Sequence, residues 1–192
     1  MIKNRYMKFS ISIPCKPYVK RFLELNYGTP VDFTRDQTIY PIFRQKLKRK
    51  STRHDNVYSG YQFQKYSKQV ELKITEDDFY NIGWELTTTE VVKFNKEIEG
   101  RAKLFMYLIV STRISFGMNV TDAVRYFQER FGFTEEIWPS ESIVKDCQRN
   151  LTVHRNEIID NISELIDKIV IEKLSEKGTT FHRNKSLINK AS

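Results

Sequence analysis

The sequence predicts an α+β protein, predominantly helical, with a small N-terminal β element and a helical C-terminal half that contains a helix-turn-helix-like unit. Three observations carry this. Apolar residues alternate with polar ones over residues 8–14 and again over 70–74, which is the period of a half-buried strand. From residue 87 onward they recur every three or four positions, the period of amphipathic helices. Hydroxyl residues and glycines punctuate those helical stretches at their starts and ends, where caps belong.

The elements follow in chain order. Lys8 to Pro14 places Phe9, Ile11 and Ile13 on one face and reads as a strand. Lys16 to Asn26 reads as a helix, with Pro17 in its first turn, apolar Val19, Phe22, Leu23 and Leu25, and Gly28 as its stop. Thr29-Pro30 is a turn, and Val31 to Phe33 a short strand. Thr34 to Lys50 reads as helix, because Ile39, Phe43 and Leu47 recur at four-residue spacing. Pro41 disturbs its hydrogen bonding near the start. Ser51 to Gly60 has loop composition. Tyr61 to Ile74 alternates, with Val70, Leu72 and Ile74 on one face, as a hairpin would.

Thr75 opens a short helix that ends at Gly83. Thr87 and Glu90 form a capping box for a long helix that runs to about Phe116 and stops at Gly117. Asn119 to Phe131 is the next helix, with Ala123, Val124 and Phe127 inward and Gly132 as its stop. One turn over 134–138 leads to Ser140, read as an N-cap. The pattern then continues to about Lys177 through Val144, Cys147, Leu151, Ile158, Ile162, Leu165 and Ile169. The organisation is thus residues 1–86 as an α+β region, 87–150 as a helical region, 151–177 as a helical extension and 178–192 as a flexible basic tail.

Composition narrows the function. The longest apolar run, Leu104 to Val110, has seven residues, whereas a membrane helix needs about 20. The N-terminus makes a poor signal peptide. Cys15 and Cys147 form no CxxC pair and suggest no disulfide framework. A cytoplasmic, reducing setting is expected. The net charge of +8 is concentrated. Residues 41–54 hold Arg44, Lys46, Lys48, Arg49, Lys50 and Arg53 without an acid, and residues 177–192 hold four more cations without an acid. The rest of the chain has 22 cations against 24 acids. Charge gathered this way points to a polyanion, of which nucleic acid is the commonest. Tyr58, Tyr61, Phe63 and Tyr66 follow the basic run and suit stacking on unpaired bases, although strand aromatics are more often core residues.

Catalysis has little support. His54, His154 and His182 are far apart, and the chain holds no HExxH, GxSxG, P-loop or GxGxxG pattern. Glu76, Asp77 and Asp78 imitate a metal cluster, but acids in a first turn answer the helix dipole. No cofactor and no metal is expected. Cys147 lies on the apolar stripe and reads as a small core residue.

The stretch from Val120 to Leu151 reads helix, turn, Pro-Ser break, helix. Helix-turn-helix domains use this order to present a final helix to the major groove. Lys145, Gln148 and Arg149 would read base edges or hold phosphate from that helix. The segments KFSISIPCKPYVKRFLELNYG and AVRYFQERFGFTEEIWPSESIVKDCQRN resemble a group of small basic, uncharacterised proteins of phages and bacterial mobile elements. The second also resembles the C-terminal helix-turn-helix of the middle-operon regulator (Mor) type of transcription activator. That group often ends its final helix in a Tyr- and Arg-rich run, where this chain has Asp146-Cys147-Gln148-Arg149-Asn150. The resemblance implies a DNA-binding regulator or accessory factor acting on duplex DNA. A second reading is a non-catalytic interaction or assembly factor, forming a homodimer through residues 151–177. There a stripe of Ile158, Ile162, Leu165 and Ile169 has charged flanks.

Overall fold

The computed structural model describes residues 8–49 and 63–151. The architecture is α+β and predominantly helical. Its elements are β1 (Lys8–Cys15), α1 (Pro17–Tyr27), α2 (Ile39–Arg44), β2 (Lys68–Thr75), α3 (Glu76–Asn81), α4 (Thr88–Ser115) and α5 (Val120–Phe131). A sixth helix, α6, occupies 140–151 of the described chain.

The sheet joins segments far apart in sequence. β1 and β2 pair antiparallel, with Ile11 opposite Leu72 and Ile13 opposite Val70. These β-branched and apolar residues share the buried face, which is what strands of this composition favour. The alternation over 61–74 therefore serves a pairing with β1 and not a hairpin. Residues 63–67 instead make a turn closed by Tyr66 N–H to the Phe63 carbonyl at 2.9 Å. A three-residue spacing across a turn turns both rings inward, and Phe63 and Tyr66 are buried. The strand expected at 31–33 reduces to Val31, whose N–H donates to the Glu71 carbonyl at 3.0 Å.

The helix expected over Thr34–Lys50 is only six residues long, Ile39–Arg44. Asp36 explains the late start. Its carboxylate accepts from the N–H groups of Thr38 and Ile39, both at 2.8 Å, and so ties the chain into a local turn. Past Arg44 the backbone leaves the helix, and Lys48 exchanges hydrogen bonds with Glu85 at 2.9 and 3.0 Å. The four-residue spacing was real all the same: Ile39, Phe43 and Leu47 are all buried. Of the apolar residues of α1, Val19, Phe22 and Leu23 are buried and Leu25 is exposed.

α4 is the spine of the core. Its 28 residues span about 42 Å at 1.5 Å per residue. Thr87 Oγ accepts from the Glu90 N–H at 3.3 Å, half of the expected capping box. Toward its start, Phe94 packs among Phe33 and Phe43, at ring distances of 6.2 and 5.1 Å. Further on, Phe105 meets Phe22, Phe127 and Phe131. Both clusters belong to one continuous apolar core. Asn95 is buried in α4 and donates to the Pro14 carbonyl at the end of β1, at 2.9 Å. The helix is thereby fixed to the sheet by a bond that burial makes costly to lose.

Asn119 caps α5 through the Asp122 N–H at 2.9 Å. Gly132 closes it in the left-handed conformation, φ 69°, which glycine adopts at little cost. Arg21 reaches over from α1 to donate to the Phe131 carbonyl at 2.9 Å. At α6 the cap differs from expectation. Ser140 is already helical, and its N–H donates to the Glu135 carboxylate at 3.0 and 3.1 Å. An acid supplied from the preceding turn suits the positive end of a helix. Among the described residues no helix is long and apolar enough to cross a membrane.

The packing of α4 yields a contrast between two sites on one helix. Phe94→Ala should destabilise the protein by about 3–5 kcal/mol. Leu104→Ala, at an exposed position, should change it by less than about 0.5 kcal/mol. Urea unfolding of both variants checks this.

Candidate nucleic-acid interface

The described part of the basic run, Arg44 to Arg49, lies along α3 and is fixed there at both ends. Thr75 caps α3 by accepting from the Asp78 N–H at 3.1 Å. Asp78 is 3% exposed. Its carboxylate accepts from the Tyr40 hydroxyl, from Arg44 Nε at 2.6 Å and from the Thr75 hydroxyl at 2.9 Å. Burial pushes its pKa up, but the hydrogen bonds from Tyr40, Arg44 and Thr75 outweigh burial and hold it below the usual carboxylate range.

At the other end, Arg49 Nη2 donates to the Tyr80 carbonyl at 3.1 Å. A guanidinium there meets the negative end of α3. Gly83 sits beneath the run with φ +125°, and a Cβ there would collide with the backbone carbonyl of Lys48. Glycine is thus required twice over, for its backbone angle and for the close approach.

The predicted phosphate contacts divide accordingly. Arg44 is half exposed but committed to Asp78. Lys46 is mostly covered and lies 3.9 Å from Glu90. Lys48 is exposed and has no ion-pair partner among the described residues. Arg49 is exposed and, among the described residues, donates to main-chain carbonyls. Lys50 and Arg53 lie outside the described residues, as do Tyr58, Tyr61 and all three histidines.

Beside Lys48 and Arg49 stand two aromatic residues that sequence reasoning did not single out. Tyr80 is 60% exposed and Trp84 is 37% exposed. Phe79 stacks on Phe9 at 4.1 Å and on Trp84 at 4.7 Å, each with an interplanar angle of 18°. Tyr80 meets Phe79 edge-on at 5.2 Å. The signal was present as FYNIGW, three aromatics around a helix stop. It was masked by the more obvious aromatic run at 58–66, of which Phe63 and Tyr66 prove to be core residues.

The second predicted contact set sits on α6. Lys145, Gln148 and Arg149 are all exposed, while Ile143 and Cys147 on the opposite side are buried. Lys145 is paired with Glu141 at 2.5 Å. The connection from α5 to α6 spans residues 132–139, eight in all, against the three or four of a compact helix-turn-helix. An open cleft of about 810 Å³ separates the two helices, and Arg125 and Lys145 share it with Glu129, Glu135 and Glu141. Residues 120–151 hold four cations against six acids. A second cleft, about 540 Å³, gathers Lys16, Lys65, Lys103, Lys145 and Arg149 with Glu136 and Asp146. Lys16 and Lys103 are already paired there, with Glu99 and Asp146, both at 2.9 Å.

Among the described residues, the two thiols are poorly placed for chemistry. Burial pushes the thiols of Cys15 and Cys147 up to about 12, so neither is a nucleophile near neutral pH. Cys147 packs on Met106 Sδ at 3.4 Å, as a core residue. Among the described residues no group of His, Cys, Asp and Glu could hold a metal ion. The helical extension over 151–177, with its homodimer seam, lies beyond the described residues, which end at 151. No family model matches this chain, and neither a curated protein nor a solved structure shows significant similarity to it.

Two measurements test how the run is held. Gly83→Ala should lose about 2 kcal/mol or more, from backbone strain and the forced displacement of Lys48; thermal unfolding reads this. Asp78 has a folded pKa below its unfolded value of about 3.9. Its contribution is therefore complete above that value and lost as pH falls through the folded one. Asp32, where hydrogen bonds from Lys8 and Thr34 overcome burial, shifts the same way. The melting temperature should hold from pH 7 to about pH 5 and fall steeply below about pH 4. Asp78→Asn should be less stable at pH 7 by about 1–3 kcal/mol and show a shallower acid limb.

Proposed function

We propose that this protein binds nucleic acid through the basic run docked on α3. The observation that carries the reading is the exposure of Lys48 and Arg49 on a backbone held rigidly by Asp78, Glu85 and Gly83. Lysine and arginine on a fixed surface hold phosphates at little further ordering cost. Lys50 and Arg53 continue the same run in sequence. A role as a phage or mobile-element regulator rests on the sequence resemblance.

Base reading from α6 has weaker support. Lys145, Gln148 and Arg149 are exposed, but Lys145 is paired with Glu141 and the acids around them outnumber the cations. A duplex presents phosphates on both sides of its groove, and Glu135, Glu136 and Glu141 would lie against them. The α6 surface is the accessory part of the reading, and the basic run its main part.

Gel shifts with duplex DNA, single-stranded DNA and RNA across a range of salt concentrations test the proposal. Binding should weaken steeply with salt. Lys48→Gln should lower affinity about equally for all sequences and flatten the salt slope by about 0.7–0.9 units. Lys145→Ala, Gln148→Ala and Arg149→Ala together should change bulk affinity less than Lys48→Gln does. Affinity independent of salt and of Lys48 would contradict the proposal.

A further inference from the structure

We infer that the face formed by Trp84, Tyr80, Lys48 and Arg49 is a stacking platform for the unpaired bases of a single strand. The inference rests on the nucleic-acid reading and names the form of nucleic acid the site takes. Phe9, Phe79 and Trp84 form a stack of near-parallel rings that starts at β1 and ends at the surface. Phe79 is engaged with both neighbours, which fixes the plane of Trp84 and leaves part of that ring in water. A planar base laid on Trp84 extends a stack that is already ordered. Every base has a π-face, so such binding tolerates sequence. Tyr80, more exposed still and edge-on to Phe79, offers a second surface beside it.

The charge is placed to match. Arg49 donates to the carbonyl of Tyr80 itself, at 3.1 Å. Lys48 exchanges main-chain bonds with Glu85, the residue after Trp84. Main-chain hydrogen bonds thus hold the segment carrying Lys48 and Arg49 against the segment carrying Tyr80 and Trp84. In a single strand the phosphates and the bases are both accessible along the same path, and such a strand can use both features. In a duplex the bases are stacked on one another and Trp84 has no ring to receive. A protein partner would gain from Lys48 and Arg49 only if it were acidic.

The test uses the full chain and three probes: an oligothymidylate of about 12 nucleotides, an abasic strand of the same length, and a duplex. The abasic strand keeps the phosphates and lacks the bases. The oligothymidylate should bind about tenfold or more tightly than the abasic strand, and should quench tryptophan fluorescence. Of the two tryptophans, Trp138 is 3% exposed, so the quenching reports Trp84. Trp84→Ala should remove the preference for bases and leave the affinity for the abasic strand unchanged, and Trp84→Phe should restore part of it. If Trp84→Ala fails to fold, Tyr80→Ala, at a more exposed position, gives the same reading. Equal, salt-dependent binding of abasic strand and oligothymidylate would overturn the platform and leave the nucleic-acid reading standing. Absence of binding to all three probes would overturn both. An oligouridylate run in parallel tells whether the strand preferred is DNA or RNA.

Discussion

Asp78 is an ionised carboxylate buried where three segments of the chain meet. Taking a charge out of water costs several kcal/mol unless its lone pairs are satisfied. Here the hydroxyls of Tyr40 and Thr75 and the guanidinium of Arg44 satisfy them. Each donor comes from a different place: the body of α2, its last residue, and the end of β2. The carboxylate thus holds α2 and β2 to the start of α3. Everything between Arg44 and Arg49 inherits its position from that anchor and from the main-chain exchange of Lys48 with Glu85. A run of cations repels itself and would otherwise swing free. On this fold it becomes a fixed strip beside Tyr80 and Trp84.

The charge of the molecule is divided in the same way. Residues 8–49 and 63–86 together carry twelve cations against eight acids, whereas residues 87–151 carry nine of each. The helical half is electrically balanced, and much of its charge is consumed in local pairs such as Lys103 with Asp146 and Lys145 with Glu141. Exposed pairs of this kind contribute little to stability, typically 0–1 kcal/mol, but they cancel the long-range field that draws a polyanion in. Among the described residues the uncompensated charge lies in the N-terminal half. The α5–α6 unit, read from the sequence as a helix-turn-helix, is therefore not where the uncompensated charge lies.

Much of this was legible in the sequence because it depends on neighbours in the chain. Pro17, Thr75, Thr87, Asn119, Gly28 and Gly132 marked helix ends that the structure bears out. The apolar face of Val70, Leu72 and Ile74 was right, and so was the core role of Cys147. What was misread depends on distant partners. A four-residue spacing at 39, 43 and 47 cannot tell a helix from a helix that unwinds to let Lys48 pair with Glu85. Alternation before Ile74 cannot say that the partner strand lies some 60 residues earlier, across the Ile11–Leu72 register. The site was legible as charge and not as geometry. Arg44 and Lys46 look like free cations until Asp78 and Glu90 appear beside them. Tyr80 and Trp84 look like core aromatics until their exposure is known.

Ultraviolet cross-linking of the full chain to a single-stranded oligonucleotide, with the adducts located by peptide mass spectrometry, tests the central claim most directly. Aromatic side chains that stack on bases are the groups that form such adducts. The account predicts adducts on the peptide containing Tyr80 and Trp84, competed away by raising the salt. Adducts confined to the α6 peptide around Lys145–Arg149, with the Tyr80–Trp84 peptide unmodified, would contradict it.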